Sequence, residues 1–145
     1  MPVTEAAAYV DTSVLVASLT NEIHTAAAQN WLARHAGALA ISDWTITEVS
    51  AALALKLRSR AITDAVRTEA LSIFSSMVAG SLQVLPVSAQ DFRSAARLSD
   101  HHQLGLRAGD ALHLAIAFTH GLTLCTLDQG MVPATRLGIA VEVIA

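Results

Sequence analysis

Five short, mostly apolar runs recur along the chain with longer amphipathic stretches between them, and this alternation limits the fold more than any other feature. The runs Ala7–Val10, Leu39–Ile41, Leu82–Val84, Leu122–Thr126 and Val141–Ile144 have strand length. Strands that alternate with helices across short gaps predict a parallel sheet covered on both faces. The helical stretches carry their own punctuation. Thr12 and Ser13 open one after the first strand, and Glu22–His35 forms another that Gly37 closes. Ser42 or Asp43 caps a third, in which Trp44, Glu48 and Leu55 share roughly one side beside an apolar stripe of Val49, Leu53 and Leu57. Thr63-Asp64 starts a fourth helix that runs through Val78 to a stop at Gly80, making a hairpin with the third. Ser88 caps a fifth with Asp91 in the reciprocal position, ending near His101. The turn Gly105–Gly109 leads into the most apolar helix, Asp110–His120, closed by Gly121.

The chain has 145 residues, which suits one domain spanning residues 1–145. With 53% hydrophobic and 14% charged residues it is not a disordered chain, and so little charge leaves apolar surface for a partner or a second copy. A formal charge of -3 gives no general attraction to nucleic acid, so binding there needs a local basic stripe or metal ions. Cys125 is the single cysteine and sits in an apolar run, as a buried thiol does in a reducing compartment. The N-terminus lacks a basic segment before an apolar core, and no stretch reaches the roughly 20 apolar residues of a membrane span. A cytoplasmic protein is expected.

Within this frame Asp11 and Asp128 stand where apolar strands end, while Glu48 and Asp110 sit in apolar helical stretches. No residue next to them in sequence is an evident counter-charge. Carboxylates beside a core are costly unless a cation or hydrogen-bond donors meet them. Ligands of open parallel sheets gather at the carboxyl ends of strands, so Asp11 and Asp128 would share one rim, over which helix packing could carry Glu48 and Asp110. Oxygen donors suit hard cations, Mg²⁺ or Mn²⁺, and the chain lacks the cysteine clusters or paired histidines of a closed zinc site. Each acid also has an ordinary structural reading. Asp11 can cap a helix, Asp128 can form an Asx-turn before Gly130, Asp110 can complement a helix dipole, and Glu48 can face solvent. The set of four carries the argument.

The segments Tyr9-Val10-Asp11-Thr12-Ser13, Thr47-Glu48-Val49, Gly109-Asp110-Ala111-Leu112-His113-Leu114-Ala115 and Thr126-Leu127-Asp128, in this order, resemble a PIN domain of the VapC-type toxin ribonucleases found in toxin–antitoxin pairs. The resemblance spans nearly the whole chain. It implies an α/β fold, a three-layer α/β/α sandwich around a central, mainly parallel sheet. It also implies an acidic quartet at Asp11, Glu48, Asp110 and Asp128 that binds Mg²⁺ or Mn²⁺ and cleaves RNA. Ser13 and Thr126 match the hydroxyls that would hold a quartet carboxylate or a water. A cognate VapB-type antitoxin and a homodimer are the implied protein partners.

Remaining features have plainer readings. His113, on an apolar helix, is expected to be packed or hydrogen-bonded, and His101-His102 to be a solvated helix end. Trp31 and Trp44 read as core or interface residues. Lys56, Arg58, Arg60, Arg93 and Arg97 read as surface charge, and Arg107 is the best placed to contact RNA because it lies near Asp110. Two competing functions stay open. A phosphotransfer or phosphatase-type α/β domain would use Asp11 as a nucleophile, although Ser13 stands where a second acid is wanted and no lysine follows Lys56. A catalytically silent PIN-like binding module would keep the metal site without the reaction.

Overall fold

The computed structural model describes residues 6–145. Its strands are β1 (Ala8–Val10), β2 (Leu39–Ser42), β3 (Leu82–Leu85), β4 (Thr123–Thr126) and β5 (Val141–Val143). Its helices are α1 (Thr12–Leu19), α2 (Thr25–Arg34), α3 (Asp43–Arg58), α4 (Asp64–Gly80), α5 (Ala89–Asp100) and α6 (Ala108–Thr119). Two 3-10 segments, His102–Leu104 and Gln129–Leu137, complete the chain.

The strands form one sheet in the order β3-β2-β1-β4-β5, and every pairing is parallel. The expected α/β class with helices on both sides is therefore what the chain adopts. Alternation along each strand explains why the runs read as continuously apolar. Ala8, Val10, Leu39, Ile41 and Cys125 belong to a core with α1, α2, α3 and α4. Tyr9, Ala40 and Leu124 point the other way, into a core with α5, α6 and the second 3-10 segment. Both faces of the central strands β1, β2 and β4 are covered, while Gln83 on β3 and Glu142 on β5 stay exposed at the edges.

Several boundaries differ from the sequence reading for local reasons. Helix α2 starts at Thr25 rather than Glu22, because the Thr25 hydroxyl accepts the Glu22 N–H at 2.8 Å and closes a turn first. Gly80 is the last residue of α4, not its stop, and Ser81 ends the helix. Helix α6 starts two residues before Asp110, at Ala108, with Arg107 in an extended conformation as its N-cap. Asp110 thereby occupies the third helical position. Two expectations hold in detail: Ser88 and Asp91 form the reciprocal capping pair of α5, and Gly121 ends α6 with φ +66°. Among the described residues no helix is long and apolar enough to cross a membrane.

The strand order places β1 between β2 and β4, so the connections after β1 and after β4 leave toward opposite faces of the sheet. A crevice opens at the carboxyl ends of strands at such a point.

Candidate active site

Asp11 follows β1 directly, and its N–H donates to Cys125 O at 2.9 Å, which fixes it against β4. It takes the N-cap position of α1, yet its carboxylate makes no capping bond. Oδ2 instead accepts from the hydroxyls of Ser13 at 2.8 Å and Thr126 at 2.7 Å. Those hydroxyls are themselves fixed, Ser13 Oγ accepting the Leu127 N–H at 3.0 Å and Thr126 Oγ1 the Asp128 N–H at 2.9 Å. The ends of β1 and β4 are thus stitched together through one carboxylate that is 4% exposed.

Glu48 reaches the same place from α3. Its Oε1 accepts from the Thr12 hydroxyl at 2.7 Å and contacts His113 Nε2. Asp128 holds the Gly130 N–H on Oδ1 at 2.8 Å, the turn its ordinary reading expects, while Oδ2 faces Arg107 at 3.4 Å. Asp110, in the first turn of α6, faces the Arg107 guanidinium at 3.6 Å. All four carboxylates line one cleft of about 370 Å³, together with Thr12, Ser13, Trp44, Arg107 and Gly109.

A pattern runs through the set. Asp11 and Glu48 each have one oxygen tied back by protein hydroxyls, while Asp11 Oδ1 and Glu48 Oε2 have no hydrogen bond among the described residues. Asp11 Oδ1 does lie 3.7 Å from His113 Nε2. One carboxylate oxygen held and one offered is the arrangement a hard cation uses. Asp11, Glu48 and His113 each present a ligand atom, all within 4.8 Å of one another.

Electrostatics reveal the same unmet charge. Burial pushes Asp110 above the ordinary aspartate value, Asp11 and Asp128 push it further, and Arg107 offsets this only in part. Burial also pushes Glu48 up, but the hydrogen bond and charge of His113, with Thr12 and Arg107, hold it below the usual glutamate range. For Asp110 the raised value means that folding disfavours its ionised form. Its protonated form therefore favours the fold below the ordinary value of 3.8, and that contribution is lost as pH rises through the folded value. Asp110→Asn should accordingly raise the metal-free melting temperature at pH 7 by a few degrees and lose that advantage in acid. Scanning calorimetry across pH checks this, and a lower melting temperature at pH 7 would contradict it.

The four carboxylates singled out from sequence line this one cleft. The group of close ligand atoms, however, holds Asp11 and Glu48 with His113, while Asp110 and Asp128 lie outside it beside Arg107. The Ser13 and Thr126 hydroxyls both bond Asp11. Arg107 lies at the rim, 82% exposed. It corrects the expectation that no neighbouring residue could neutralise the acids, since the guanidinium bridges Asp110 and Asp128. Extended backbone at position 107 turns the side chain back over the first turn of α6. His113 is buried and hydrogen-bonded, as a histidine on an apolar helix should be, but its partners belong to this cluster. Sequence reasoning missed Thr12 and Tyr9. Both lie in the segment around Asp11, where Thr12 reads as a helix start and Tyr9 as a strand residue, because contacts across 36 and 104 residues leave no local trace.

A family model described as the PIN domain matches residues 8–135. No curated protein matches the chain by sequence comparison. Among solved structures, VapC20 of Mycobacterium tuberculosis, a toxin that cleaves the sarcin-ricin loop, is 21% identical, with TM-score 0.71, 96% of this chain and 100% of that one covered. A protein from Pyrobaculum aerophilum is 26% identical, with TM-score 0.67 and coverage of 94% and 83% respectively. The VapBC2 structure from Rickettsia felis, bound to a DNA fragment from its promoter, contains a chain 20% identical, with TM-score 0.66 and coverage of 96% and 98%.

Proposed function

Because this chain belongs to the PIN-domain family, we propose that it is a divalent-metal-dependent endoribonuclease, the toxin of a type II toxin–antitoxin pair. The observation that carries the reading is the meeting of Asp11, Glu48, Asp110 and Asp128 in one solvent-open cleft, with charge that the protein alone leaves unbalanced. The carboxylates fit Mg²⁺ or Mn²⁺. Bound there, such an ion makes water a better nucleophile and offsets charge gathering on a scissile phosphate.

The chain's own residues prepare that chemistry. Ser13 and Thr126 hold Asp11, Thr12 and His113 hold Glu48, and neither carboxylate must reorganise when a cation arrives. Arg107 stands over Asp110 and Asp128, where a phosphodiester can take its guanidinium. The sarcin-ricin loop cleavage named for VapC20 supports RNA as the substrate class.

Purified protein incubated with a mixed pool of structured and single-stranded RNA should leave new internal ends with Mg²⁺ or Mn²⁺ and none with a chelator. Sequencing of RNA ends reads the result. Absence of metal-dependent cleavage throughout the pool would defeat the proposal and favour a silent binding module. Arg107→Ala should raise KM more than it lowers kcat and reduce the salt slope of RNA binding by about one. An unchanged slope would remove Arg107 from the RNA path.

Exposed Leu55, Val66 and Ile73 on α3 and α4, at 58%, 38% and 45%, support an apolar antitoxin segment as partner. Co-expression with a small adjacent reading frame should yield a complex that suppresses cleavage. Phe92 and Phe118, exposed by 56% and 60% on α5 and α6, support a homodimer, which light scattering at several concentrations tests.

A further inference from the structure

The cleft's acids are held in part by a group that never reaches the cleft. Tyr9 lies in the middle of β1, fully buried, with its ring on the α6 side of the sheet. Its hydroxyl meets His113 Nδ1 at 2.6 Å, Ser42 Oγ at 2.8 Å and Thr45 Oγ1 at 3.3 Å. Ser42 and Thr45 are the capping pair of α3, the helix that carries Glu48. His113 is also fully buried, and its other nitrogen faces Glu48 Oε1, with Thr12 Oγ1 at 3.2 Å and Asp11 Oδ1 at 3.7 Å.

Proton bookkeeping decides the direction of these bonds. Carboxylate oxygens of Glu48 and Asp11 accept only, and the Thr12 hydroxyl already donates its proton to Glu48 Oε1. Nε2 of His113 therefore faces acceptors and must carry a hydrogen. Where Nδ1 carries no hydrogen it accepts, and the donor beside it at 2.6 Å is the Tyr9 hydroxyl. Thr45 Oγ1 accepts the Ser42 N–H at 3.1 Å, and the hydroxyls of Ser42 and Thr45 both stand beside Tyr9 Oη as donors to it. The chain of donation runs from the Ser42–Thr45 hydroxyl pair to Tyr9, to His113, to Glu48.

We propose that Tyr9 is a positioning residue for the metal site: its hydroxyl proton fixes His113 as the Nε2–H tautomer, which ties back Glu48 Oε1 and leaves Oε2 for the cation. This rests on the metal-dependent reading above. His113 is then an orienting donor and not a metal ligand, although its nitrogen lies among the carboxylates. With the hydroxyl removed, nothing donates to Nδ1, the ring is released to the other tautomer or to rotation, and an Nε2 lone pair would face the Glu48 carboxylate. Partners of this kind, one bond behind the ligands, are worth about 10-fold to 100-fold in metal affinity.

Calorimetric Mn²⁺ titration of the intact protein, with imidazole ¹⁵N NMR of the metal-free form, tests the proposal. Tyr9→Phe should bind Mn²⁺ about tenfold more weakly, and the His113 nitrogens should move from the Nε2–H pattern toward a mixture. His113→Gln, whose amide still offers a donor to Glu48 and an acceptor to Tyr9, should stay within about threefold of the parent, whereas His113→Phe should fall by about tenfold. These two also decide the matter if Tyr9→Phe fails to fold. Retention of both tautomer pattern and affinity in Tyr9→Phe overturns the proposal, as does a Gln variant as weak as the Phe variant. A parent protein that binds no Mn²⁺ defeats the nuclease reading instead, and the ¹⁵N comparison still decides whether Tyr9 sets the tautomer.

Discussion

Asp11→Asn should abolish the proposed RNA cleavage, with kcat/KM lower by at least about 10³-fold, equivalent to ~4 kcal/mol of transition-state stabilisation, while the protein still folds. Asparagine has nearly the same shape, so the well-packed surroundings of β1 and α1 are undisturbed. What changes is charge and hydrogen-bond sense. Two hydroxyls donate to Asp11 Oδ2, at 2.8 and 2.7 Å. An amide must keep its oxygen toward them, and its NH₂ group then points where Oδ1 had been offered to a cation. A donor in that position repels the ion. Circular dichroism and single-turnover RNA cleavage, measured on one preparation, check the two halves of the expectation. Cleavage within tenfold of the parent would remove Asp11 from the reaction.

Gly109→Ala should separate stability from activity. Gly109 lies in the first turn of α6 without an unusual backbone conformation, so nothing in the main chain requires glycine there. An added methyl group would instead stand 2.8 Å from Glu48 Oε2 and 3.6 Å from the Trp44 ring. The end of a glutamate side chain can give way at little cost, and alanine is favoured over glycine in a helix by about 1 kcal/mol. Folding stability should therefore hold or rise slightly. The displaced oxygen is the one that the proposed site presents to a cation, and a shift near 1 Å at such a centre costs on the order of 10²-fold in rate. A variant that melts no lower than the parent but cleaves about a hundred times more slowly is the expected result. Parent-like turnover would show that Glu48 Oε2 is not needed in its present place.

Much of this arrangement was legible because strands and caps leave local traces. The run Ala7–Val10 followed by Asp11-Thr12-Ser13 marks a strand, an acid and a helix start, and the structure departs from it by one residue at the strand's beginning. Ser88 and Asp91 form their capping pair within four residues, so short-range chemistry sufficed to find it. The polar wiring was less visible. Tyr9 reads as one more strand residue until a histidine 104 positions later is brought to its hydroxyl. His113 is a fully buried residue, as its place on an apolar helix implies, but periodicity says nothing about which polar groups a buried ring will meet. Asp110 was placed at the start of a helix that begins at Ala108, because two residues with little side chain extend the turn unnoticed.

The pairing of β1 with β4, in the register Ala8 with Thr123, has a temporal meaning. Asp11 is synthesised well before the Thr126 hydroxyl that grips it, 115 residues downstream. Contacts of such separation form late, after local helices and hairpins have condensed. A nascent polypeptide that ends before β4 has neither that hydroxyl nor Asp128. The carboxylate cluster closes only when β4 docks beside β1, and a nascent chain that stops short of β4 carries an open, incomplete cleft.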